Sequence, residues 1–134
     1  MAGALRDLPY LVHTNRELGL MLNGTKPLAH FCDAVGREPA CLLRYLRLFD
    51  RRVAAGQFSR REVLEPASAV SDVSIRRVFY ALPGQEWRID ALLELLRQPG
   101  AWTEEHERRE GELLGYEDWQ NDVWLVLRRV GTVD

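Results

Sequence analysis

The chain has 134 residues, 46% of them hydrophobic and 28% charged, with four tryptophans and a formal net charge of −2. That length supports one domain, residues 1–134, with its own core. The longest uninterrupted apolar run, Val123–Leu127, is far short of the ~20 residues a membrane-spanning helix needs, so no membrane association is expected.

The opening MAGALRDLPY lacks the long apolar core of a signal peptide, and a cytoplasmic location is the default expectation. Cys32 and Cys41 make no disulfide framework and read as small hydrophobes. Lys26 is the only lysine; the other basic residues are arginines, which suit planar, bidentate contacts. Charge is unevenly placed. Residues 1–62 hold ten basic and six acidic side chains, whereas residues 63–134 hold eight basic and fourteen acidic ones. Such asymmetry speaks to partners and association, not to fold.

In chain order, residues 8–13 (LPYLVH) read as a short edge strand. Glu17 to Cys32 then reads as a β-hairpin. Asn23-Gly24 supplies the turn, because both residues tolerate positive φ, and Pro27 marks the loop exit. Alternation would put Leu18, Leu20, Leu22, Ala29 and Phe31 on a core face. The opposite face would carry Glu17, Gly19, His30 and Cys32. A one-residue slip in register would destroy that grouping.

Pro39 opens a helix whose buried stripe is Leu42, Leu46, Phe49 and Val53, with Arg44, Arg47 and Arg51 on another stripe and Gly56 as the stop. Phe58–Leu64 and Ser74–Leu82 follow as strands, joined by a loop over Glu65–Ser71. Glu86–Gln98 is a helix with Ile89, Leu92, Leu93 and Leu96 on one face. Thr103 caps a third helix, polar until Leu113 and therefore a surface helix, with Glu104 and Glu105 in its first turn. The last helix, about Glu117 to Val130, places Trp119, Val123, Val126, Leu127 and Val130 on one face. Strands in runs followed by helices argue for an α+β fold. The expectation is an antiparallel sheet of four or five strands packed against three or four helices.

Four groups of residues bear on function. His13, Glu17, His30 and Cys32 form a polar face in which a carboxylate-held histidine could act as a general base. The same four could ligate a metal, but no close ligand pair supports one, and neither metal nor cofactor is expected. The arginine stretch around Arg44, Arg47 and Arg51 could track phosphates, although the chain is net acidic and matches no standard nucleic-acid module. The acidic helix, with Glu104, Glu105, Glu107 and Glu110 beside Tyr116 and Trp119, could dock on a basic protein surface. Finally, Trp87 fits the core better than the rim of a pocket.

The leading expectation is a small macromolecule-binding protein, of an inhibitor or immunity type, acting through the acidic helix on a basic protein partner. The alternative is a small enzyme or ligand-binding domain using His13, Glu17 and His30. Nucleic-acid contact through Arg44, Arg47 and Arg51 is weaker still.

Overall fold

A computed structural model describes residues 8–131. In chain order the elements are α1 (Glu17–Leu22), β1 (Leu28–Ala34), α2 (Ala40–Ala54), β2 (Ser59–Pro66), β3 (Ser74–Ala81), α3 (Trp87–Leu96), α4 (Glu104–Leu114) and α5 (Asp118–Gly131). The fold is α+β with an antiparallel sheet, but among the described residues the sheet has three strands, not four or five, and five helices accompany it.

The expected hairpin accounts for most of the difference. Glu17–Leu22 is helical, and β1 pairs with β3 instead, Leu28 opposite Ala81 and Phe31 opposite Val78. Asn23-Gly24 does turn the chain, but as a helix stop. Gly24 takes φ of +84°, its N–H reaches the Met21 carbonyl, and the Thr25 N–H reaches the Leu20 carbonyl. That double bond is the Schellman pattern, which needs the same positive φ as a hairpin turn. Residues 8–13 form no strand; Tyr10 packs edge-on against Tyr116 and Trp119.

β3 is the central strand, flanked by β1 and β2 and antiparallel to both. β1 and β2 therefore run the same way, and α2 carries the chain from one edge to the other. Both sides of the sheet are covered. Met21, Ala29, Leu46, Phe49, Phe58, Val78 and Tyr80 form one cluster beneath α1 and α2. On the other side Leu28, Phe79 and Ala81 meet Ile89, Leu92 and Leu113 of α3 and α4. A strand buried on both faces needs apolar side chains at consecutive positions, which is why Val78-Phe79-Tyr80-Ala81 is unbroken by polar residues.

The helix boundaries follow local chemistry. Pro39 is the N-cap of α2, and Gly56, at φ +78°, closes it: the Gly56 N–H donates to the Val53 carbonyl and the Gln57 N–H to the Arg52 carbonyl. Thr103 caps α4 in a capping box completed by His106 where a glutamate is usual. The helix is less superficial than its polarity implies. Leu113 is fully buried, and the α4 backbone contacts α3, α5 and β1. The last helix keeps only part of the expected face inward, with Val123 and Leu127 half-buried. Asn121 and Leu125 face inward, whereas Trp119, Val126 and Val130 are 45%, 53% and 58% exposed. Trp87 is also exposed, with the Arg88 guanidinium 4.8 Å over its ring, and both cysteines are exposed rather than buried hydrophobes.

Candidate functional site

The polar face expected around His13, Glu17 and His30 depended on 17–22 being a strand. As a helix, that segment carries Glu17 to the α2 side of the sheet, where its Oε1 accepts the Tyr45 hydroxyl at 3.0 Å. His30 lies on the opposite side, stacked on Phe79 with centroids 4.6 Å apart and Nε2 3.3 Å from Arg77 Nη1. Burial, and then the Arg77 charge, lower its pKa to about 4. Glu17 and His30 are thus not brought together. Cys32 stands on β1 with its side chain exposed. Among the described residues no group of three or more His, Cys, Asp and Glu side chains is placed to hold a metal.

His13 joins a different cluster, centred on Lys26. Lys26 is only 2% exposed. Its Nζ lies 2.8 Å from His13 Nδ1 and donates to the Leu114 carbonyl at 2.8 Å. The His13 ring stacks on Tyr116 at 3.8 Å, and its backbone N–H donates to the Tyr116 hydroxyl at 2.8 Å. Lys26 therefore satisfies a C-terminal carbonyl of α4 where the helix dipole favours a cation, while Arg88 donates to the Glu112 and Leu113 carbonyls beside it. Burial lowers the Lys26 pKa to about 7 and, with the Lys26 charge, lowers that of His13 to about 4. The lone pair on His13 Nδ1 is occupied by Lys26, so the ring is a packed acceptor and poorly placed as a general base. Only the lysine's rarity in an arginine-rich chain hinted at this role.

The acidic helix is largely matched from within. Arg129 Nη2 reaches Glu104 at 2.6 Å, and Glu107 accepts the Trp102 and Trp124 indoles at 2.6 and 2.8 Å. Arg108 pairs with Asp122, and Arg109 with Glu112. Tyr116 is half-buried against His13, Glu110 points toward a cavity, and Glu105 and Trp119 are exposed. The arginine helix does not supply these partners, since α2 and α4 lie on opposite sides of the sheet.

The arginine face of α2 differs. Arg44, Arg47 and Arg51 have no ion-pair or hydrogen-bond partner among the described residues, whereas Arg60, Arg61, Arg76, Arg77 and Arg97 are all salt-bridged. The three line an open trough of about 820 Å³ whose floor includes Phe31, Leu42 and Tyr45. Leu43 and Leu48 are exposed on the same helix.

No protein-family model, curated protein or solved structure matches the chain.

Proposed function

We propose that this chain is a binding module for another protein, and that it engages an acidic segment of that partner through the Arg44, Arg47 and Arg51 face of α2. The observation that carries this reading is that these three cations stand together, exposed and unmatched, while most other charges are paired within the molecule. Unpaired guanidinium groups offer bidentate contacts without first breaking an internal pair. Exposed Leu43 and Leu48 beside them supply apolar contact of the kind that protein interfaces use.

A protein partner is favoured over nucleic acid because Phe31 and Tyr45 pack edge-on against each other and against Phe49, so their faces are not offered to bases. Docking through the acidic helix, as an inhibitor of a basic protein, is the weaker form of the same proposal, because Glu104 and Glu107 would have to leave Arg129 and the two indoles.

The test is fluorescence anisotropy at low salt with a labelled amphipathic peptide of glutamate and leucine, a labelled single-stranded oligonucleotide and a labelled arginine-rich peptide. Salt-sensitive binding of the acidic peptide, lost in R44E/R47E/R51E with thermal stability unchanged, is expected. Preference for the oligonucleotide would move the reading to nucleic acid. Preference for the arginine-rich peptide would restore the acidic helix, and no binding of any probe would end the proposal.

A further inference from the structure

Residues 10–16 fold across the junction of α4 and α5 and help enclose a cavity of about 510 Å³, within the range of small-molecule sites. Tyr10, Tyr116 and Trp124 give it aromatic walls, and Glu107, Glu110 and Asn121 bring polar groups into it. This cavity adjoins the α2 trough, sharing Thr14 and Asn15 with it, but Arg44, Arg47 and Arg51 do not line it.

Two of its polar groups lack partners. Asn121 is 4% exposed, and its amide nitrogen has no hydrogen-bond partner among the described residues. A buried amide left unpaired is costly, so its persistence calls for an explanation. Space is kept for it: a Cβ on Gly111 would fall 2.1 Å from Asn121 Oδ1. Glu110 is half-buried and makes no hydrogen bond or ion pair within the described residues, in contrast to Glu107, whose oxygens take both indoles. The one basic residue lining the cavity, Arg16, donates to the Val12 carbonyl at 3.1 Å. No cation pairs directly with Glu110 among the described residues, and the aromatic walls suit one, as Lys26, 5.9 Å from the Tyr116 ring centroid and outside the lining, illustrates.

We propose that this cavity binds a small aromatic amine carrying a hydroxyl group. The ammonium is held by the Glu110 carboxylate, and the ring lies among Tyr10, Tyr116 and Trp124. The hydroxyl oxygen accepts from the Asn121 amide once that amide has turned about its last torsion to present its nitrogen.

Isothermal titration of the full chain with three probes tests this: tyramine, phenethylamine (which lacks the hydroxyl) and 4-hydroxyphenylacetate (which replaces the cation with an anion). Tyramine is expected to bind with Kd of about 1 mM or tighter, phenethylamine about tenfold more weakly, and the acid not at all. Glu110→Gln should weaken tyramine about tenfold or more, since an ion pair becomes a contact between the ammonium and a neutral amide. Asn121→Leu should keep the thermal midpoint and abolish the preference for tyramine over phenethylamine. Equal binding of the acid, an unchanged affinity in E110Q, or no heat with tyramine would overturn the proposal.

Discussion

At the scale of single residues, one buried lysine and two half-buried histidines set a pH dependence. His13 and His30 have folded pKa values of about 4 against an ordinary 6.5. Between those values the unfolded chain binds more protons, so stability falls as pH drops through this window. Lys26 acts higher up. Its folded pKa is about 7 against 10.5 unfolded, so the burial penalty of its charge is fully present below 7 and relieved as pH rises toward 10.5. Urea midpoints across pH should therefore rise from about 4 to 6.5 and continue to rise above 7. H13Q/H30Q should flatten the lower limb and Lys26→Met the upper. Wild-type slopes in those variants would show that the groups titrate alike in both states. Lys26→Met should also cost more at high pH than at neutral pH, because the neutral amine still serves His13 and Leu114 without the charge penalty.

Single elements here are ended by glycine, and the glycines are not equivalent. Gly24 has φ of +84° with nothing near a would-be Cβ, so Gly24→Ala should cost only the left-handed penalty, about 1 kcal/mol. Gly115, at φ +99°, closes α4 against the start of β1, and a Cβ there would lie 2.6 Å from Pro27 Cδ. Gly115→Ala must shift a proline ring as well as strain the backbone, so its loss should clearly exceed that of Gly24→Ala. Denaturant midpoints of the two variants decide this, and equal losses would contradict the packing at Pro27. The element that sequence reading got wrong teaches the same chemistry. Leu18, Leu20 and Leu22 alternate as a strand would, but Leu18, Met21 and Leu22 also recur at helical spacing. Six residues are too few for periodicity to choose. Asn-Gly did not choose either, since a helix stop and a hairpin turn both use its positive φ.

For the whole molecule, the two hydrophobic clusters share β3, with Val78 and Tyr80 facing one and Phe79 and Ala81 the other. Loosening either side should destabilise the common strand. Leu46→Ala and Leu92→Ala are each expected to cost about 2–5 kcal/mol, more for the fully buried Leu92, and each variant should still unfold in a single transition. Two separate transitions in scanning calorimetry would mean that the layers behave as independent units.

The sequence by itself determined the α+β class, strands β2 and β3, four of the five helices with the glycine stops of α2 and α4, and the presence of one arginine-rich and one acidic helix. These rest on local chemistry: capping residues, left-handed glycines and apolar periodicity over ten or more residues. Tertiary structure alone decided which strand β1 would join, because Leu28–Ala34 pairs with a segment more than forty residues away and no local signal encodes that choice. It decided that Glu17 and His30 stand on opposite sides of the sheet, that Lys26 is buried at the end of α4, and that Arg129 neutralises Glu104. It also decided which face of α5 turns inward, since a helix with apolar residues on several sides is oriented by what it packs against. Candidate sites were least legible for the same reason. A charge is available to a partner only if nothing inside the molecule has already paired with it, and pairing is a property of contacts between elements distant in sequence.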